Sequence, residues 1–106
     1  MSDIKERCDR WAKENERKRR VEKVLTMVGI EREFQDRKWG TIEVHGHSLA
    51  EWVLIAEAEL AEAKLAVIKG GSGRNSVRSE IIQTMAVLQA ALEQHGVEDD
   101  HDGRQL

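Results

Sequence analysis

Not one proline occurs in the 106 residues of this chain, so no position carries an obligatory helix stop or a missing backbone donor. Tyrosine is absent too, and the four aromatics are Trp11, Phe34, Trp39 and Trp52. Strands favour β-branched and aromatic side chains. This chain is instead rich in Ala, Leu, Glu, Lys, Arg and Gln, which lose little freedom on entering a helix. The expectation is an all-α fold, and the length suits one domain with one modest core.

Glycine does the punctuation. A helical pattern covers about residues 3–28. Ile4, Cys8 and Trp11 recur at spacings of four and three, the stripe lapses over Glu14–Arg20, and it resumes at Val21, Val24, Leu25 and Val28. A lone Gly29 need not end it, so the helix can continue through Phe34 to Trp39. Residues 40–48 (GTIEVHGHS) read as a loop, and Ser48 with Glu51 three residues later forms a capping box. The second helix then runs to Lys69, with the stripe Leu49, Trp52, Val53, Ala56, Leu60, Ala63 and Val67, and stops at Gly70 and Gly71. After the basic loop KGGSGRNS, Asn75 or Ser76 caps a third helix that runs to His95. Its stripe is Val77, Ile81, Met85, Leu88 and Leu92, widened by Ile82, Ala86 and Ala90, and Gly96 ends it. The chain shows no internal repeat and no interdomain linker. It divides into one helical domain, 1–96, whose residues 1–20 form a basic helical arm, and an acidic tail, 97–106, expected to be disordered. The second and third helices are apolar over more than a narrow stripe, so three helices leave apolar surface exposed. A helical bundle completed by a second copy is the simplest remedy.

Charge sets further bounds. The net charge of −3 gives no global attraction to nucleic acid. Residues 1–20 are locally basic, and Lys13, Arg17, Lys18, Arg19 and Arg20 could meet phosphates, but Glu14 and Glu16 interrupt the run and nucleic acid is a disfavoured partner. No apolar run is long enough to span a bilayer. The N-terminus is charged from residue 3 and lacks the apolar stretch of a secretory signal. Cys8 is the sole cysteine, which excludes an intrachain disulfide and points to a reducing, cytoplasmic setting.

The chemistry-bearing residues sit on the last two helices. Glu59 and Glu62, three apart, lie on one face of the second helix, with Glu57 roughly 160° away from Glu59. Glu80 and Gln83 repeat the spacing on the third. Two helices that each offer an oxygen pair can enclose a hard cation such as Mg²⁺ when packed face to face. Such pairs are also common on solvated helix faces. Here they border apolar positions (Leu60, Ala63, Ile81, Ile82), and a carboxylate at the edge of a helix–helix interface needs a cation or a partner. His45 and His47 form an HxH with no third ligand of matching type nearby and read as a loop feature. His95 closes a helix, where a cation suits the dipole.

The stretches GIEREFQDRKWG, HSLAEWVLIAEAELAEAKLA and RSEIIQTMAVLQAALEQHG together resemble the MazG-like, all-α nucleotide pyrophosphohydrolases, in particular the short stand-alone forms of phages and bacteria. The resemblance spans about residues 24–96. It implies a helical bundle assembled as a homo-oligomer, dimer or tetramer, that uses Mg²⁺ (or Mn²⁺) to split a nucleoside triphosphate into monophosphate and pyrophosphate. The family's ExxE matches Glu59 and Glu62, and its ExxD aligns with Glu80 and Gln83. These four are the implied metal ligands, and Glu59 or Glu62 the implied catalytic base. By the same resemblance Gln35 reads a base edge, Trp39 stacks on it and Lys38 meets phosphate, while Lys69, Arg74 and Arg78 of the basic loop neutralise the leaving group. The sequence departs from the family pattern twice. Ala58 stands where a glutamate doublet is usual, and the aspartate of ExxD is Gln83. Three carboxylates remain where four are typical, which keeps open a weakened nucleotide-binding or oligomeric module of the same fold.

Overall fold

The computed structural model describes residues 2–98. Three α-helices follow one another: α1 (Ser2–Trp39), α2 (Leu49–Lys69) and α3 (Val77–His95), with a 3₁₀ turn at Gly73–Asn75. The described residues contain no strand, so the all-α expectation holds. Most of the acidic tail, Asp99–Leu106, lies outside the described residues.

Helix α1 runs unbroken through Gly29 for 38 residues. With no proline and few β-branched residues before Val21, nothing local interrupts it. From Asp3 to Met27 its side chains are exposed, Asn15 alone being half-buried. Glu16 pairs with Arg19 at 2.6 Å and with Arg20 at 3.5 Å. These surface pairs contribute little stability each, yet they cancel part of the arm's positive charge. Packing begins at Val28, which is 3% exposed. The helix ends at Gly40, whose φ of 95° suits glycine and whose N–H reaches the Asp36 carbonyl.

The capping box at α2 is present in both directions: Ser48 Oγ accepts from the Glu51 N–H at 3.1 Å, and Glu51 Oε1 accepts from the Ser48 N–H at 2.9 Å. Ser48→Ala is expected to cost about 1 kcal/mol, read as a lower urea midpoint with an unchanged m-value. Of the two candidate caps for α3, Ser76 takes the role by accepting from the Ser79 N–H, and Asn75 belongs to the 3₁₀ turn.

Helix α3 is the centre of the fold. Both α1 and α2 pack on it, and they flank it without packing on each other. The core cluster joins Trp52 and Ala56 of α2 to Val87, Ala90 and Ala91 of α3, with Ile42 and Ile55 against it. Small residues let the α2 and α3 backbones approach closely, and this moves the contact off the anticipated stripes. Trp52, Ala56 and Ala63 are buried as anticipated, but Leu49, Val53, Leu60 and Val67 are exposed. On α3 the buried line is Glu80, Thr84, Ala86, Val87, Ala90 and Ala91, while Ile81, Met85, Leu88 and Leu92 face outward. The long aliphatics thus form ridges on the surface and the alanines form the seam.

Two polar ties fix the arrangement. Arg32 of α1 donates to both Glu93 oxygens on α3, at 3.0 and 2.9 Å. Gln94, near the end of α3, accepts from the Trp52 indole at 2.8 Å and from the His47 N–H at 3.0 Å, and donates to the His47 carbonyl at 2.8 Å. Gly46 permits this closure, because a Cβ there would lie 2.9 Å from Gln94 Nε2 and 2.7 Å from the Ile42 carbonyl. His47 is therefore an anchor of the loop, stacked edge-on against Trp52. Among the described residues, no helix is long and apolar enough to cross a membrane.

Candidate functional site

Because α1 and α2 diverge over α3, they leave a cleft whose floor is α3 residues Val87 and Ala90. Its volume is about 240 Å³, and its walls include Arg32, Gln35 and Trp39 from α1, His45 from the loop, and Trp52 and Glu59 from α2. Trp39 is half exposed at the cleft and lies outside the core. The Lys38 ammonium sits 4.8 Å from its ring centroid, within cation–π range. Trp52 serves both the core and the cleft wall.

A cluster of carboxylates adjoins the cleft. Glu59 is half-buried and Glu80 is 6% exposed. Burial raises the pKa of Glu59, and the charges of Glu80, Glu62 and Glu31 raise it further, with Lys38 opposing. Burial also raises that of Glu80, reinforced by Glu62 and Glu31 and opposed by Arg74. Glu62 itself is exposed. The helical spacing thus brings Glu59, Glu62 and Glu80 into one electrostatic neighbourhood, and Glu57 stays on the exposed face.

Glu31 was not anticipated. It is 7% exposed on α1, and its two oxygens accept from Arg74 Nη1 and Nη2 at 3.1 Å each. The Arg74 guanidinium also covers the Phe34 ring at 4.2 Å. Gln35 is buried and donates to Glu31 at 3.3 Å and to the Gln83 carbonyl at 3.2 Å. Gln83 turns its amide nitrogen to the Arg74 carbonyl at 2.8 Å and to Ser79 Oγ at 3.3 Å. Lys69 and Arg78 are exposed and do not line the cleft.

One signal could have found Glu31 and Arg32. The α1 stripe Val21, Val24, Leu25 and Val28 continues at helical spacing as Glu31, Arg32, Gln35 and Trp39. Polar side chains that follow the packed Val28 on that face must find partners or a ligand.

Among the described residues, no three His, Cys, Asp or Glu side chains are already gathered closely enough to hold one ion. Comparison with protein-family models, with curated proteins and with solved structures finds no match to this chain.

Proposed function

We propose that this protein is a Mg²⁺-dependent nucleoside triphosphate pyrophosphohydrolase that converts an NTP or dNTP and water to a monophosphate and pyrophosphate. The observation that carries the reading is a small aromatic-walled cleft opening beside carboxylates contributed by all three helices. The volume lies below the ~300–1,000 Å³ of sites that enclose a drug-sized ligand, so it suits one flat ring system. Trp39 offers a stacking face. Gln35, with its amide nitrogen committed to the protein, keeps Oε1 for a donor on the base edge.

The donor set fits a hard divalent cation. Glu59, Glu62 and Glu80 offer only oxygen, and Glu80 is a buried carboxylate that accepts no hydrogen bond from the described residues. Bound there, Mg²⁺ supplies positive charge to the triphosphate oxygens. Glu59 lines the cleft, and in this reading its carboxylate takes the proton of the water that attacks the α-phosphorus. Its raised pKa moves it toward the range where a general base works best. Of the cations this reading assigns to the phosphates, Lys38 lies beside the Trp39 ring, Lys69 and Arg78 are exposed outside the cleft, and Arg74 would reach a phosphate only by releasing Glu31.

The functional unit in this reading is a homo-oligomer. Leu25, Met85, Leu88, Leu92 and Val97 surround one open apolar groove, and Leu60, Val67 and Ile81 rim another. A standard interface buries about 800 Å² per partner, and in this reading the exposed long aliphatics of these two grooves supply it.

A second reading, a weakened nucleotide-binding module, draws on Gln83, whose neutral amide is tied to the loop. The deciding experiment measures pyrophosphate and monophosphate from a panel of NTPs and dNTPs, with Mg²⁺ or Mn²⁺ and an EDTA control. Equimolar, metal-dependent products are expected. A folded oligomer that releases neither product from any nucleotide would replace the hydrolase with the binding module. Gln83→Asp then separates a weakened site, which gains activity, from one in which glutamine serves.

A further inference from the structure

We infer that the exposed arm of α1, residues 3–27, is a dimerisation element that pairs antiparallel with the same arm of a second copy of this chain. The inference is independent of the hydrolase reading and concerns a surface apart from the two grooves named with it.

A helix in a protein gains most of its stability by packing an apolar face, and less from intrinsic propensity. The arm has such a face and leaves it bare. Ile4, Trp11, Val21 and Leu25 are each more than half exposed, and Cys8 on the same side is exposed with them.

The spacing identifies the occupant. Ile4, Cys8, Trp11, Lys18, Val21 and Leu25 follow one another at separations of 4, 3, 7, 3 and 4, the spacing of a coiled-coil seam. The series reads the same from either end. Its single change of phase falls between Glu14 and Asn15, where the two-fold axis of an antiparallel pair lies. Two arms laid antiparallel therefore match at every level. Ile4 meets the partner's Leu25, Cys8 meets the partner's Val21, and Trp11 meets the partner's Lys18, whose stem and ammonium suit an indole. A parallel pair instead sets Lys18 against the partner's Lys18, a like-charge contact inside the seam. Every position from Glu6 to Lys23 that points away from the seam is charged, as befits the solvated back of a coiled coil.

The flanks of the seam complement one another in charge. The antiparallel register sets Lys5 beside the partner's Glu22 and Glu14 beside the partner's Arg17, each pair occurring twice under two-fold symmetry. The other flanking pairs, Arg7 with the partner's Val24 and Ala12 with the partner's Asn15, bring no like charges together. Among the described residues, Lys5, Glu14, Arg17 and Glu22 make no ion pair within the chain, whereas Glu16 on the outward side holds Arg19 and Arg20.

The seam also runs into a packed surface. Val28, the next apolar position after Leu25 at helical spacing, is buried where α1 packs on α3. Leu25 and Val28 border an open apolar groove with Leu92 and Val97. The partner's Ile4, arriving at Leu25, lies at the end of that groove. In the pair, α3 covers the C-terminal part of α1 and the partner's arm covers the rest.

The test uses the full chain and two variants, Trp11→Lys and Val21→Cys, with circular dichroism to confirm that each is folded. Both positions are exposed and outside the core. Trp11→Lys sets two lysines against each other at two levels of the seam, and sedimentation equilibrium is expected to show association weakened by roughly a hundredfold or more. Val21→Cys brings a second thiol level with the partner's Cys8. A bis-maleimide of about 10 Å reach spans that level, but not the roughly 20 Å of helix that separates positions 8 and 21 in one arm or the two Cys8 thiols of the pair. Val21→Cys is expected to give a covalent dimer whose peptide map joins position 8 to position 21, and the parent chain none. A parent dimer joined through its two Cys8 residues, or no covalent dimer from Val21→Cys, overturns the inference. Association that Trp11→Lys leaves unchanged also overturns it and assigns the oligomer to the grooves on α2 and α3.

Discussion

Glu59→Gln is expected to lower pyrophosphate release by roughly 10²–10⁴-fold, the usual contribution of a positioned general base, while the metal-free protein becomes no less stable. The two effects share one cause. Burial, and then the neighbouring charges of Glu80, Glu62 and Glu31, hold the Glu59 pKa above its ordinary value. A group with a raised folded-state pKa favours the folded state fully below its unfolded pKa, and that favour is lost as pH rises through the folded value. Above its raised folded-state pKa the ionised Glu59 disfavours the fold, and a neutral isostere removes that cost. The melting temperature in EDTA should stay level or rise, and its downward slope with increasing pH should flatten. Measuring turnover and melting on one preparation checks both. Full activity in the variant would remove Glu59 from the mechanism. Lost activity with a collapsed melting temperature would make the side chain structural.

Much of the fold was legible because local chemistry decided it. Ser48 with Glu51 and the glycines at 40, 70 and 96 fix helix ends by hydrogen bonding and backbone freedom, which depend on neighbours in sequence. That Glu59 and Glu80 border apolar positions was legible from spacing within each helix, and in the structure Glu59 is half-buried and Glu80 buried, while Glu62 is exposed. The buried faces were harder to read. Hydrophobicity ranks Leu60, Met85 and Leu88 above Ala63, Ala86 and Ala90, but close helix approach selects the small residues and turns the large ones outward. Glu31, Arg32 and Gln35 escaped for a related reason. Their partners Arg74, Glu93 and Gln83 lie at least 43 residues away, and nothing in the α1 sequence names a partner that distant. Only a polar run that follows the packed Val28 on one helix face hinted at them.

Arg32→Ala is expected to produce the largest loss of stability of any single substitution on α1, about 2–4 kcal/mol. Helix α1 brings one buried apolar side chain, Val28, to α3. The rest of its buried contact is polar, and Arg32, 6% exposed, spans the interface with two bonds to Glu93 and a third to Asp36 at 2.8 Å. Hydrogen bonds to charged groups contribute about 1.5–3 kcal/mol, and the packing of the buried Arg32 stem is lost with them, while Glu93, 39% exposed, is left to water. Against a total of roughly 5–15 kcal/mol for a domain of this size, that is a large share. It corresponds to a fall of about 10 °C or more in melting temperature. The pH dependence identifies the cause. Arg32, through its hydrogen bonds, holds the Glu93 carboxyl below its ordinary pKa. A lowered pKa contributes stability above the unfolded value, and this is lost as pH falls through the folded one. Glu59 and Glu80, with raised values, respond in the opposite direction. In the parent chain the two trends oppose each other in the acid range. In Arg32→Ala the Glu93 contribution is gone, while that of Glu51, whose carboxyl the Ser48 cap also holds below its ordinary pKa, remains, so acidification from neutral pH should destabilise the variant less than it does the parent. Arg32→Met retains much of the stem and should recover the packing part of the loss, with the altered pH profile unchanged. Parent-like midpoints and an unaltered pH profile in both variants would show that the α1–α3 contact is held by something other than this ion pair.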